Sequence, residues 1–342
     1  MECTTYGIPA DSKADPVRQG EAESEYLPQS ELLCGPDAQS RVLDARCDGY
    51  PLAYVCIFAS NVVAVVDLVR SEKLLDIVVG SSPLDIDIGP DNRYAYVSNF
   101  YDNSVSQIDL RFHEVVRTAR VGANPAGVKV TPNGAHLYVA QYGEPTVQVL
   151  DASTLQKVTE IPLPCTAFQI DMSLDGSLAF VSLRSAGQVA VVDLGLNLVV
   201  KLLDTGAGAE DVKVSPTGQL VFVSNEEGNS ITPINIALAE RTLANLPAPT
   251  GPVGLAFARF GRKLYCANRR DQSVAVFDVF AHRQVNNIPV GQGPYGAATS
   301  PDGRLVVVSN TYEDTISVID VGTDQVITTI AVGDAPAFLA IL

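Results

Sequence analysis

Short apolar stretches alternate with polar turn signals along most of this chain, and they do so at a fixed interval. The clearest marker is an apolar strand that closes on Asp or Asn. It reads VAVVD at Asp67, VSQID at Asp109, VQVLD at Asp151, VAVVD at Asp193, ITPIN at Asn235, VAVFD at Asp278 and ISVID at Asp320, with steps of 42, 42, 42, 42, 43 and 42 residues. A period of this size marks a propeller, solenoid or array. Residues 263 to 304 give the fullest unit, with four apolar stretches: KLYCAN, SVAVFD, QVNNIPV and YGAATS. Each has strand length and strand content. Pro301, Asp302 and Gly303 supply the turn dihedrals between units. No segment has helical periodicity. Four strands in each of seven units predict an all-β, seven-bladed propeller over residues 51–342.

The motifs AYVSN at 95–99, FVSN at 222–225, VVSN at 307–310, VGANP at 121–125 and SPDGR at 300–304 recur in register. With them, the chain resembles the YVTN family of seven-bladed propellers, which includes archaeal surface-layer proteins and bacterial exported propellers. The resemblance implies the fold and an exported or surface setting. It leaves function open, because such propellers serve as adhesive modules, scaffolds and enzyme platforms.

The chain enters the repeats at a second strand, LAYVC from Leu52, and ends in an inner strand, PAFLAIL from Pro336. The last strand is therefore expected to complete the first blade. Residues 40–45, SRVLDA, are the rival for that place, although they lack the Gly-x-x-Pro lead-in. The uncharged stretch from Pro51 to Val66 approaches membrane-span length. Its register matches two successive strands of every later unit, so no membrane span is expected there.

Residues 1–50 are different in kind: ten acids, four bases and no periodicity up to about residue 39. They read as an acidic, irregular arm. Four of the six cysteines lie within the first 56 residues, which points to disulfides and an oxidising, extracytoplasmic compartment. Cys34 and Cys47 are the favoured pair among 15 fully paired arrangements. Cys56 and Cys266 fall on second strands, as buried thiols would. The net charge of −16 argues against nucleic acid and against electrostatic docking on anionic lipid.

Catalytic signals are sparse. The three histidines, His113, His136 and His282, fall at dissimilar repeat positions on turns or outer strands, and no nucleophile–His–acid set can be assembled. Function is therefore sought where blades differ. Two residues past the lead-in Pro position, the inner strand carries Gly127, Gly254 and Gly296 in three blades, and Asp85, Gln169, Asp211 and Phe338 in the others. This slot is expected near the channel mouth, where Asp85 and Asp211, with Glu210 beside the latter, would either be solvated or bonded to neighbouring backbone N–H groups, or hold a divalent cation or an amine. The turns after the second strand carry Phe100, Tyr101, Tyr142, Arg184, Arg269, Arg270 and Tyr312, and Tyr295 lies on an inner strand. These are residue types that interfaces favour. The recurrent Asn ending the second strand reads as a turn former, and the Asp ending the third as a cap of the turn that follows.

Two functions are carried forward. The first is a non-catalytic binding or scaffold module, with no cofactor, holding a protein, glycan or small ligand on this face. The second is a metal-dependent enzyme or cofactor platform of the lactonase, lyase or amine-dehydrogenase-subunit kind. The sequence leaves the ligand, the oligomeric state and any longer parent chain open.

Overall fold

A computed structural model describes residues 51–238, 240–241, 244–258 and 260–342. Its strands form seven antiparallel sheets, four-stranded in six blades. We letter the strands of each blade a to d from the channel outward. Blade II is representative: a is Pro83–Ile88, b Tyr94–Asn99, c Ser104–Asp109 and d Glu114–Arg120. The a–b and c–d turns share the bottom face; the b–c turns and d–a loops share the top.

The ring closes through its last strand. In blade I, strand a is Pro336–Ile341, paired antiparallel to strand b, Leu52–Ile57, with Ala53 opposite Ile341 and Val55 opposite Leu339. Residues 40–45, with the rest of the arm and the Cys34–Cys47 pair, lie outside the described residues. The uncharged stretch near the start of the ring is two strands, Leu52–Ile57 and Val62–Asp67. Among the described residues no helix is long and apolar enough to cross a membrane.

Alternation along each strand sends side chains to both sheet faces, and both faces are buried against neighbouring blades. Hence the strands are apolar on both sides. Ala53, Val55 and Ile57 of blade I pack on Val307, Ile316 and Val318 of blade VII. Phe222 and Ile231 of blade V pack on Leu255, Leu264, Cys266 and Phe277 of blade VI. Each large side chain so buried contributes roughly 1.5–3 kcal/mol.

The repeat motifs have local causes. The Asp ending strand c caps its turn: Asp67 Oδ1 accepts the N–H groups of Val69 and Arg70 at 2.8 Å each. The Asn ending strand b is fully buried and clasps strand c, with Asn99 Nδ2 donating to Ser104 Oγ and Ser106 Oγ at 2.9 Å. Both readings from sequence hold, the second with a wider role than turn formation.

Outer strands carry an extra residue opposite strand c in six blades: Leu74, Val116, Val158, Val200, Val285 and Ile327. Bulges of this kind twist a free edge away from further pairing. Blade V departs: its outer position is filled by two short pieces, Glu240–Arg241 and Leu246–Pro247, each paired to strand c.

Candidate functional site on the top face

The top face is built by tying the b–c turn of every blade but IV down onto the d–a loop of its own blade. Phe100 N–H donates to Ser82 O, Glu226 to Gly208 O, Arg269 to Gly251 O and Thr311 to Gly293 O, at 2.7–3.0 Å. The accepting loop residue has positive φ, 56° at Ser82 and 64° at Gly293. Glycine at this position in blades V to VII leaves room for a large turn residue above it. A Cβ at Gly293 would lie 2.4 Å from the Tyr312 ring, and one at Gly251 would lie 3.0 Å from Arg270 Cγ.

The channel mouth is filled. One residue past the lead-in position, inner strands from six blades bring Leu84, Ala126, Phe168, Val253, Tyr295 and Ala337 into one buried apolar cluster, with Phe338. Blade V alone places a charge there, Glu210, which is 3% exposed. Its carboxylate pairs with Arg184 Nη1 and accepts the Tyr295 hydroxyl at 3.3 Å. Arg184 Nη2 reaches Glu226 Oε2 at 2.7 Å and Glu227 Oε1 at 3.4 Å. Glu226, 2% exposed, also takes Arg270 Nη2 at 3.2 Å. Arg269 lies against the rings of Tyr295 and Tyr312, 5.3 and 5.5 Å from their centroids, and donates from Nη2 to Tyr312 OH at 2.7 Å. Burial pushes the Glu210 carboxyl up, against the pull of Arg184. Burial also raises the Tyr295 hydroxyl, which stays a phenol.

Two clefts flank this network. One, of about 410 Å³, runs beside Tyr142, Arg184, Asp204 and Glu227. The other, of about 440 Å³, lies beside Glu226, Arg269, Arg270, Gln272, Gln292 and Tyr312. The other half of the face is aromatic: Phe58, Phe100, Tyr101, Tyr142 and Phe168 form a chain of rings with centroids 5.1–6.3 Å apart.

The residues expected from sequence divide in two. Arg184, Glu210, Arg269, Tyr295 and Tyr312 come together, with Tyr142 lining the first cleft. Tyr101 and Tyr312 are exposed, at 59% and 43%, whereas Tyr142, Tyr295, Phe100 and Phe338 are buried. The latter four fill the mouth instead of standing out as anchors: Phe100 and Tyr142 because their turns fold inward over the loop, Tyr295 and Phe338 because they lie on inner strands.

Asp85 and Asp211 do not share the mouth with Glu210. Adjacent strand residues point to opposite sides, so Asp211 faces away from Glu210 and toward the next blade. Asp85 Oδ2 accepts Val128 N–H at 3.0 Å, and Asp211 Oδ2 accepts Leu255 N–H at 2.8 Å. The carboxylates thereby satisfy donors on the free inner edge of the neighbouring sheet, which would otherwise be orphaned. Gln169 occupies the same slot beside Gly127, whose N–H donates directly to Phe168 O at 2.7 Å. Two residues further down, Lys129 bridges Asp87 and Asp171 at 3.2 and 3.3 Å. Among the described residues no group of three His, Cys, Asp or Glu is placed to hold a metal.

Sequence reasoning missed the serine of the YVSN motif. Ser98, Ser182, Ser224 and Ser309 each accept an inner-strand N–H, at 2.8–3.1 Å, where strand a breaks register with strand b. Their recurrence in register was the available signal. The histidines also differ from expectation. His113 and His282 hold equivalent places, four residues past the Asp ending strand c, both with positive φ, and His136 opens the b strand of blade III. All three are at the bottom.

Burial moves the Asp211 pKa from 3.8 to about 6, against the pull of Lys213. A carboxyl raised in this way is protonated in the fold at pH values where the unfolded chain has already ionised. Its contribution is favourable below about pH 4 and is lost as pH rises through 6. At 1.36 kcal/mol per pH unit, the span from 3.8 to about 6 is worth roughly 3 kcal/mol. Asp211→Asn carries a fixed cost for the lost acceptor, and relative to wild type it should gain about that amount between pH 4 and pH 7. Urea unfolding of both proteins at the two pH values measures this; a difference that does not change with pH refutes it.

Comparison with known proteins agrees with the ring. Residues 198–300 match the family model of YNCE-like beta-propellers, and residues 55–173 that of the cytochrome D1 heme domain. Among solved structures, Kuenenia stuttgartiensis hydrazine synthase aligns with a TM-score of 0.72 and 23% identity, over 78% of this chain and 91% of its own. A functionally unknown protein from Desulfotomaculum acetoxidans DSM 771 aligns at 0.75 and 18%, over 85% and 98%. Dihydro-heme d1 dehydrogenase NirN in complex with DHE aligns at 0.62 and 18%, over 82% and 63%. At these identities the likeness is one of fold. No curated protein matches the chain. The chain is a seven-bladed β-propeller repeat protein.

Haem is the group these matches imply, and the mouth does not fit it. Haem iron is held by His, Cys, Met or Tyr. Among the described residues the histidines are at the bottom, Cys56 and Cys266 are buried thiols in b strands, and Met172 is in the core. Tyr295 is tied to Glu210, Tyr312 to Arg269, and Tyr142 and Tyr101 pack on neighbouring rings.

Proposed function

We propose that this propeller is a non-catalytic binding or scaffold module, exported or surface-associated, that holds a protein, glycan or small ligand on its top face. The observation that carries this reading is the concentration of blade-to-blade differences in one place. Blades IV to VII bring Arg184, Glu210, Glu226, Arg269, Arg270 and Tyr312 into one network with a cleft on either side. The bottom turns of most blades repeat one Asp-capped form. Ligand sites are commonly concave, with a few convergent polar groups.

Export is supported by Cys165 in the d–a loop before blade IV, which is disulfide-bonded. Disulfides persist in oxidising compartments. The alternative, a metal-dependent enzyme or cofactor platform, finds no donor set among the described residues.

A melting panel of small acids, amines, sugars and divalent cations tests the reading. A ligand at 100 times its Kd stabilises by about 2.7 kcal/mol. Some compound is expected to raise the melting temperature, and Tyr312→Ala or Arg270→Ala should remove that rise while leaving ligand-free melting nearly unchanged. A rise that survives both substitutions overturns the assignment. A midpoint lowered by EDTA and restored by a divalent cation favours the alternative.

A further inference from the structure

We infer that the cleft between the b–c turns of blades VI and VII is a subsite for a carboxylate, with Arg269 as its anchor. The inference rests on the top-face reading and narrows it to one ligand chemistry.

The network holds three guanidinium groups and three carboxylates, but the carboxylates pair with only two of the three. Arg184 is matched by Glu210, Glu226 and Glu227, and Arg270 by Glu226. Among the described residues no carboxylate forms an ion pair with Arg269. Its Nη2 donates to a neutral acceptor, Tyr312 OH, at 2.7 Å, and its Nε is enclosed with no acceptor at all. The rings of Tyr295 and Tyr312 both lie against the guanidinium, their centroids 5.3 and 5.5 Å from its central carbon. Cation–π contact of this kind orients and stabilises the cation without neutralising it. A guanidinium that is largely enclosed and unpaired is costly unless an anion joins it.

The open volume lies beside it. The cleft of about 440 Å³ is lined by Arg269, Arg270, Gln272, Gln292 and Tyr312, with Glu226 in its wall. That volume suits a small ligand or the end group of a larger one. Two guanidinium groups facing one carboxylate disfavour a cationic ligand. The Glu226 carboxylate, already shared by Arg184 and Arg270, disfavours a dianion over a monoanion. A planar carboxylate matches the fork of N–H donors and forms the stronger, charge-assisted bonds. Its remaining atoms would lie toward Tyr312, whose ring is partly exposed.

The test uses the full chain at low salt, with calorimetric titration of D-glucuronate and benzoate against their neutral counterparts D-glucose and benzamide, and of inorganic phosphate. One or both carboxylates are expected to bind better than their counterparts, and which one binds tells a sugar acid from an aromatic acid. Arg269→Gln should weaken that binding by at least about tenfold, the worth of one charge-assisted bond. If Arg269→Gln lowers ligand-free melting, Tyr312→Phe removes only the hydroxyl that orients Arg269 and should still weaken carboxylate binding several-fold. Carboxylates no better than their neutral counterparts, phosphate tighter than either carboxylate, or affinity unchanged in Arg269→Gln would each overturn the assignment. If an amine or neutral sugar binds instead and Tyr312→Ala abolishes it, the carboxylate subsite fails while the top-face reading stands.

Discussion

A chain that stops at Ala335 is expected to lose its cooperative unfolding transition. The missing strand Pro336–Ile341 pairs with Leu52–Ile57 and is bonded beyond its end by Leu52 and Leu342, which exchange N–H···O bonds at 3.0 and 2.9 Å. It buries Ala337, Phe338 and Leu339, and the rings of Phe338 and Tyr295 meet edge to face with centroids 5.1 Å apart. Losing the larger side chains alone removes roughly 1.5–3 kcal/mol each. Leu52–Ile57 would also expose a new apolar sheet edge, an invitation to aggregate. Total stability of a folded domain is about 5–15 kcal/mol, so the sum approaches the whole. Near-UV circular dichroism and urea unfolding measure the outcome. A truncated protein with wild-type cooperativity would show that the ring does not depend on its last strand.

Gly254→Ala is expected to be nearly as damaging, though it adds one methyl group. A Cβ at Gly254 would sit 2.2 Å from Tyr295 O and 2.8 Å from Ala297 N, both backbone atoms of the next inner strand. Backbone within a sheet cannot swing aside as the end of a side chain can, so blades VI and VII would have to separate at the channel. Overpacking typically costs about 1–3 kcal/mol, and this contact belongs at or above the top of that range. Gly89→Ala is the control. Its Cβ would meet neighbours at 3.4 Å or beyond and its φ is not positive, so its effect should stay within about 0.5 kcal/mol. Equal destabilisation by the two substitutions would refute the account of inner-strand glycine.

These two results concern what was legible in sequence and what was not. The 42-residue period fixes blade number and strand order because each blade solves one packing problem in one way. The apolar stretches KLYCAN and SVAVFD are strands with the bounds Lys263–Asn268 and Ser273–Asp278. Ring closure was legible because the repeat starts one strand late, on a b strand, and runs one strand over, ending on an a strand. The inner-strand slot was harder. Gly254 and Asp211 hold the same position and solve the same problem differently. One lets backbones touch, and the other reaches across to Leu255 N–H with a carboxylate. In sequence, its departure from the glycine of sibling blades reads equally as a ligand group or as an acceptor for neighbouring backbone, and only the fold separates the two. The direction of side chains was the second gap. Repeat alignment places Tyr142 and Tyr312 on the same kind of turn, but Tyr142 turns down onto Phe168 while Tyr312 stays half exposed over Gly293. The bulges of the outer strands fall on aliphatic residues in all six blades, such as Val116 and Ile327, but these read as ordinary strand residues and so do not announce a bulge.

The central claim is that ligand binding belongs to the top face of blades IV to VII. Amide hydrogen exchange on the full chain tests it most directly, with and without the compound giving the largest melting shift in the panel. The account predicts slowed exchange confined to residues 184–187, 204–208, 226–229, 269–272, 291–293 and 311–314. Protection confined to the bottom turns, at 110–113, 195–197 and 279–282, would contradict it.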